Sequence, residues 1–444
     1  FIQIGFDFGT SFCKCICRDV MTNKAWIFFP PGSEKVETPF LIPTTLLVQN
    51  GKIRHPPIFL TEYQDNGLPH LKLALVKAAL HQWDDPVLTP YKNVIEESNT
   101  TVLADFVEMC AVYYLAGAFG DVRKDLLRKY PDFGSQPQDY MAVNLAVPVA
   151  DAQRPEVEGL YQRILCKAWS FADQLAGYPQ ASVRKVAELI SGQPEHEYQN
   201  SKEACFIYPE VSANVQGFVR SRASSPGIYL FSDTGAGTVD QSIFIFFRQD
   251  DREHLTYLHG SVLPQGSSRI EHLAAIKSGS VDAQSLEIWR KKKEAGGKQP
   301  ELQIAMDTVR GGIRRGTYST LDCAKKKLHV EKQLYDLRII FGGGGHCTNP
   351  YKIGVMDGVM KTFSGPSFPK GVQPDIVGLP TPSDLELGTM GKQWMQRLSV
   401  AYGLSFVRTD LTDHTYPKDL KDPDSTEILH PLKPLPEPPT KDVC

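Results

Sequence analysis

Nothing in this chain limits its fold more than Ser232-Asp233-Thr234-Gly235-Ala236-Gly237-Thr238-Val239-Asp240, because β-forming runs enclose it on both sides. Ile228-Tyr229-Leu230-Phe231 precede it, and Ile243-Phe244-Ile245-Phe246-Phe247 follow it. The pattern predicts strand, tight glycine turn, strand. Gly235 and Gly237, with only Ala236 between them, let backbone N–H groups close around a bulky anion. Asp233 and Asp240 flank the turn, and a carboxylate repels a bare phosphate. They suit a phosphate cradle where a divalent cation lies between acid and phosphate, or where an acid orients a water. On this segment alone two readings stay open: a metal–nucleotide site, or an ordinary β-hairpin with a glycine turn.

The start of the chain echoes it. Phe6-Asp7-Phe8-Gly9-Thr10-Ser11 is the same device, an Asp followed by a Gly-Thr turn between strands. Two such tips facing each other can clamp a polyphosphate and hold its metal between Asp7 and Asp233. Lys14 lies on the returning strand, sharing a face with Phe12 and Ile16 and opposite Cys13, Cys15 and Cys17. Its charge can serve a β- or γ-phosphate, or its head can simply reach solvent past apolar neighbours. A third glycine run, Phe341-Gly342-Gly343-Gly344-Gly345-His346, follows a buried strand and suits close backbone approach to a flat ligand such as adenosine.

The totals frame these sites. A chain of 444 residues suits two or three compact units, and 41% hydrophobic with 22% charged residues is the composition of a folding protein. A net charge of −3 gives no argument for nucleic acid or an anionic membrane. No apolar run approaches the roughly 20 residues that span a bilayer. The opening β-like run without an initiator Met reads as a trimmed start and not as a signal peptide. Nine cysteines without paired spacing point to reduced thiols and a cytoplasmic setting, and Cys13, Cys15 and Cys17 read as small buried strand residues.

Spacing predicts strands at 1–8, 12–18, 25–29, 140–147, 205–208, 255–258 and 336–341. It predicts helices at 71–83, 102–130, 156–175, 211–220, 268–277, 284–293, 321–334 and 393–404. Asn50-Gly51 signals a hairpin, 181–189 is strand or helix, and 291–298 is a charged loop. Residues 413–444 are rich in proline and charge and read as an extended tail, either a docking arm for a protein partner or a plain extension.

The three glycine elements, in this order, resemble the phosphate-1, phosphate-2 and adenosine motifs of the superfamily of actin, sugar kinases and DnaK-type heat-shock chaperones. Further stretches resemble the chaperone branch. They are Val147-Pro148-Val149-Ala150-Asp151-Ala152-Gln153-Arg154, Pro209-Glu210-Val211-Ser212-Ala213, Asp322-Cys323-Ala324-Lys325-Lys326-Lys327-Leu328 and Val400-Ala401-Tyr402-Gly403. The resemblance covers roughly residues 1–410. It implies an α/β, two-lobed actin-like ATPase fold, each lobe a mixed sheet flanked by helices with nucleotide in the cleft. Lobe I would take 1–225 and 390–412, and lobe II 226–389.

The resemblance also implies roles. Asp7 and Asp233 would hold hydrated Mg²⁺. Gly9, Thr10, Ser11, Gly235, Ala236 and Gly237 would wrap the phosphates of ATP or ADP. Thr238 and Asp240 would lie near the attacking water, and Glu210 would polarise it. Asp322, Lys325 and Lys326 would line ribose and adenine, with Gly343, Gly344 and Gly345 passing beneath. Lys14 fits the actin branch, while Lys72 or Lys77 could supply the phosphate lysine that the chaperones take from a later loop. Ala236 replaces a family glycine. His346 stands where the chaperones carry Ser in Gly-Gly-Ser-x-Arg, so their adenine-stacking arginine is not carried over. The chaperones' peptide-binding domain and lid have no counterpart, so gripping unfolded peptides unaided is not expected.

The leading expectation is a slow, chaperone-like ATPase that signals its nucleotide state to a protein partner. The alternatives are an actin-like ATPase that self-assembles and, third, a small-molecule kinase.

Overall fold

The apolar runs beside each glycine turn are rich in β-branched and aromatic residues, which suit a pleated, covered surface, and they form the centres of two mixed sheets. The computed structural model describes residues 1–56, 66–95, 100–148, 154–175, 178–192, 200–221, 224–250, 252–328, 331–345, 349–366, 368–388 and 390–420. The first sheet contains β1 (Ile2–Asp7), β2 (Phe12–Asp19), β3 (Lys24–Ile27), β4 (Met141–Val147) and β5 (Cys205–Pro209), in the order β5-β4-β1-β2-β3. β5, β4 and β1 are parallel; β1–β2 and β2–β3 are antiparallel. Leu385–Glu386 adds in parallel to β3.

The second sheet contains β6 (Gly227–Thr234), β7 (Val239–Gln249), β8 (Arg252–Leu263), β9 (Arg338–Gly342) and β10 (Asp375–Val377), in the order β10-β9-β6-β7-β8. Its directions match the first sheet strand for strand. One topology is therefore used twice: three antiparallel strands, then two parallel strands reached through helices. The fold class is α/β with mixed sheets, as expected.

Every residue of β1 is buried, as befits a strand covered on both faces. Cys13, Cys15 and Cys17 of β2 are buried free thiols in the first core. Ile16, on the other face, packs with helix α9 (Met395–Leu404). The first core also takes in helices α1 (Leu71–Ala79), α2 (Thr100–Lys129) and α3 (Pro155–Leu175). Contrary to the composition-based expectation, the segment Val102–Lys129 is long and apolar enough to cross a membrane, yet 72% of its most apolar window is buried within the protein. Asn50 and Gly51 both take positive φ between Leu46–Gln49 and Lys52–Arg54, the expected hairpin turn. The ambiguous 181–189 stretch is both things in turn: a strand at Gln180–Ser182, then a helix at Val183–Ser191 capped by the Ser182 hydroxyl.

Helix α4 (Glu210–Asn214) follows β5 directly, in place of a single helix over 211–220. Helices α5 (Ser267–Ser278) and α6 (Ala283–Glu294) agree with expectation, although α6 takes in the first residues of the expected loop. The helix predicted at 321–334 lies earlier: α7 spans Pro300–Lys325, and a further helix, α8, spans Tyr351–Phe363. Glycines hid both from the spacing, because glycine weakens an isolated helix. Here they permit contact. A Cβ on Gly354 would stand 3.0 Å from Arg310 O, and one on Gly358 2.8 Å from Arg314 O.

The described part of the expected tail, 413–420, is not simply extended. Asp413–Thr415 forms β11, parallel to β8, and Lys327 Nζ donates to Pro417 O. The rest of the proline-rich segment, 421–444, lies outside the described residues.

Candidate functional site

Asp7 ends β1 and faces Lys14 across the β1–β2 ladder. Lys14 Nζ donates to Asp7 Oδ2 at 2.7 Å. Asp7 Oδ1 is buried and has no hydrogen-bond partner among the described residues. The turn beyond it needs glycine: a Cβ on Gly9 would stand 2.2 Å from Phe12 O. It would also stand 3.3 Å from Lys14 Nζ, so the lysine head lies beside this tip. Ser11 closes the turn, its carbonyl accepting from Thr44 N at 2.7 Å.

Asp233 occupies the matching place near the end of β6, facing Asp240 across the β6–β7 ladder. Asp233 Oδ2 accepts from Asn214 Nδ2 at 2.8 Å, and Asn214 Oδ1 accepts from the Ser399 hydroxyl. Gly343, at φ +75°, admits no side chain, since a Cβ there would meet Asp233 Oδ1 at 2.2 Å. Gly345 lies against Thr234, and Gly344 against Arg397 of α9. Thr238 Oγ1 donates to Asp240 Oδ2 at 3.3 Å.

The second tip is shaped by α5. Gly266 N donates to Gly237 O, Ser267 N to Gly235 O and Ser268 N to Ala236 O, at 3.2, 3.0 and 2.9 Å. In a trans peptide the next N–H points opposite to the carbonyl. The N–H groups of Ala236, Gly237 and Thr238 therefore all point away from α5. A row of N–H groups facing one way can hold an anion.

The two tips meet. A Cβ on Gly237 would stand 3.0 Å from Thr10 Cγ2 and 3.6 Å from Leu73 Cδ2 of α1. The residue before Leu73 is Lys72, whose Nζ donates to Glu210 Oε2 at 2.7 Å. Pro148, Glu210, Asp233 and Asp240 line one small pocket. A larger open depression beside Trp26 and Phe29 contains none of these residues.

Four carboxyl groups, Asp7, Glu210, Asp233 and Asp240, gather here with Lys14, paired to Asp7, and Lys72, paired to Glu210. Burial, then the charges of Glu210 and Asp7, push the Asp233 carboxyl up to about 7, against a partial offset from Lys14 and Lys72. Burial opposes the charge on Lys72, but Glu210, joined by Tyr161 and Asp7, outweighs it and holds the ammonium above its usual range. A divalent cation beside Asp7 and Asp233 would relieve the repulsion, and the partnerless Asp7 Oδ1 is a fitting donor. Two carboxylates suit Mg²⁺, which keeps several waters. Among the described residues no group of three or more His, Cys, Asp or Glu is arranged to hold a metal.

Asp7, Gly9, Thr10, Ser11, Lys14, Glu210, Asp233, Gly235, Ala236, Gly237, Thr238, Asp240 and the Gly343–Gly345 run thus converge on one region. Asp322, Lys325 and Lys326 do not. Helix α7 runs alongside α8 in the same direction, with Arg310 bonded to Asp357 and Lys361 over the Tyr318 ring. Its C-terminal end therefore lies away from the loop that precedes α8. Lys325 is 5.6 Å from the Phe368 ring, which packs on Tyr335 just before β9, whereas Gly343 follows the other end of that strand. Asp322 and Lys326 form an exposed ion pair with each other at 3.2 Å. Lys77 pairs with Asp85, not with this cluster, leaving Lys72 as the lysine in place. His346 and the 149–153 stretch lie outside the described residues.

Asn214, Ser399 and Arg397 belong to the site without having been foreseen. Asn214 follows Glu210 by one helical turn, so its face could have been suspected; the other two become neighbours only through the fold. A comparison with protein-family models finds no match to this chain. A search of curated proteins also finds no match.

Proposed function

We propose that this protein is a Mg²⁺-dependent nucleotide-binding ATPase of the two-lobed actin-like kind, nearest in character to the nucleotide-binding part of DnaK-type chaperones. One observation carries the reading: two sheets of identical topology set Asp-Gly-Thr tips against each other, with two lysines and four carboxylates at the junction. In this reading each sheet is the heart of one lobe, and ATP lies in the cleft between them.

Asp7 and Asp233 would hold hydrated Mg²⁺, which supplies positive charge to the β- and γ-phosphates when bound. The N–H groups of Ala236, Gly237 and Thr238 receive phosphate oxygens from one side, and the Gly9–Ser11 turn receives them from the other. Lys72 pairs with Glu210 and aims it into the pocket that Asp233 and Asp240 share, where Glu210 orients a water. Asn214 fixes the rotamer of Asp233. Gly343, Gly344 and Gly345 let adenosine approach the backbone, with the Arg397 guanidinium alongside. Asp322, Lys325 and Lys326 take no part. Positioning and electrostatics suffice for a slow turnover, which suits a switch that reports to a protein partner.

The test is ATP hydrolysis with and without Mg²⁺. Asp233→Asn is expected to fold and to lower turnover at least about tenfold, roughly 1.4 kcal/mol in the barrier. Unchanged turnover would remove Asp233 from the site. Lys14, paired with Asp7 seven residues earlier, favours a second reading, an actin-like filament former. Pelleting with ATP separates the two, and a chain that stays monomeric in ATP ends the filament reading.

A further inference from the structure

Outside the cluster of acids and lysines, α3 and β5 bring two cysteines together. Cys166 lies within α3 and Cys205 begins β5, and both side chains are buried. The Cys205 thiol donates to the carbonyl of Leu165, the residue just before Cys166, at 4.0 Å. Gln162, one turn before Cys166, ties the pair together: its Nε2 is 3.3 Å from Cys166 Sγ and 3.1 Å from the Cys205 carbonyl. We propose that Cys166 and Cys205 form a peroxide-reactive dithiol that closes to an intramolecular disulfide.

The two sulfurs have different chemistry. The adjacent Cys205 thiol, the Gln162 amide and Lys202 together bring the Cys166 thiol down to about 7 against the effect of burial. Burial and the neighbouring Cys166 hold the Cys205 thiol well above its usual range. Cys166 is therefore the nucleophile and Cys205 the resolving thiol. Burial pushes the Cys13, Cys15 and Cys110 thiols up, so they stay protonated at neutral pH. Cys15 and Cys17 also project in parallel from one strand, a poor start for the crossed geometry of a disulfide.

The step balances with hydrogen peroxide as oxidant. The Cys166 thiolate attacks one peroxide oxygen; the O–O bond breaks, giving a sulfenic acid and hydroxide, which takes up a proton as water. The Cys205 sulfur then attacks the Cys166 sulfur, forming S–S and breaking S–O. The departing hydroxide takes the Cys205 proton as a second water. Two thiols are oxidised and one peroxide is reduced. No further strand pairs with the outer side of β5 among the described residues, since β5 ends the first sheet. Burial restricts entry to an oxidant as small as peroxide. Since β5 leads directly to Glu210, the bridge would tie the strand that presents Glu210 to α3.

The experiment treats the full chain with hydrogen peroxide, then maps it by mass spectrometry without reduction. The expected result is a loss of two hydrogens, a peptide pair joined through Cys166 and Cys205, and reversal by dithiothreitol. In Cys205→Ser, dimedone is expected to trap a sulfenic acid at Cys166. A disulfide joining any other pair overturns the proposal, as does oxygen addition without a Cys166–Cys205 bridge. Dimedone uptake first at a cysteine other than Cys166 does so too. The wild-type map decides the matter even if the variant folds poorly.

Discussion

Asp7 and Asp233 hold equivalent places in equivalent hairpins but face opposite partners, Lys14 in one and Asp240 in the other. Burial, with the charges of Glu210 and Asp7, gives Asp233 a titration that stability can report. An acid whose pKa rises on folding stabilises the protein while protonated. Its contribution is complete below 3.8 and is lost as pH rises through about 7. Urea unfolding without nucleotide is therefore expected to show, from this group, stability declining as pH rises between those values. Asp233→Asn should lack that part of the slope. Lys72 makes a separate prediction. Lys72→Met leaves the largely buried Glu210 charge unpaired and is expected to cost about 2 kcal/mol near neutral pH. Adding Glu210→Gln should restore most of the stability in urea titrations while leaving turnover lost. The acids and glycines of the tips were legible in the sequence because each motif is local. Lys72 was legible only as one of two candidates, since its choice over Lys77 depends on where Glu210 comes to lie.

Among the elements, α4 bonds to three others through its five residues. Glu210 bonds Lys72 of α1, Ser212 bonds Tyr257 of β8, and Asn214 bonds Asp233 of β6. Its seat is the glycine notch of α9: a Cβ on Gly403 would stand 1.8 Å from the Ala213 carbonyl oxygen. No rotamer relieves a clash with backbone, so Gly403→Ala is expected at or above the upper end of the 1–3 kcal/mol typical of overpacking, about 3 kcal/mol. It should also abolish turnover by displacing Glu210 and Asn214, both measurable on one purified variant. Most strands and the long amphipathic helices were readable from periodicity. Helices α7 and α8 were not, because their glycines serve contacts between elements distant in the chain. The misplacement of Asp322, Lys325 and Lys326 has the same origin, for a short helical motif says nothing about which end of its helix meets a distant loop.

At the level of the whole molecule, the duplicated sheet was half visible. The echo of the two Asp-Gly-Thr tips foretold a pairing, whereas the matching of all five strand directions required long-range partners that no local pattern names. The chain also does not finish the first sheet before starting the second. It passes to the second sheet before β6, returns to add Leu385–Glu386 and α9 to the first, and goes back to place β11 beside β8. Arg18 and Tyr402 both grip Asp384 at one of these passages, at 2.6 and 2.8 Å. Three passages make the halves inseparable by a single cut. A protease nick within 378–383 leaves two covalent links and all the α4 contacts intact. Such a nicked chain is expected to migrate as one species on a native gel and as two fragments in denaturant. Separation under native conditions would show that the segment after 383 is held by its peptide bond alone and not by its packing on the two sheets.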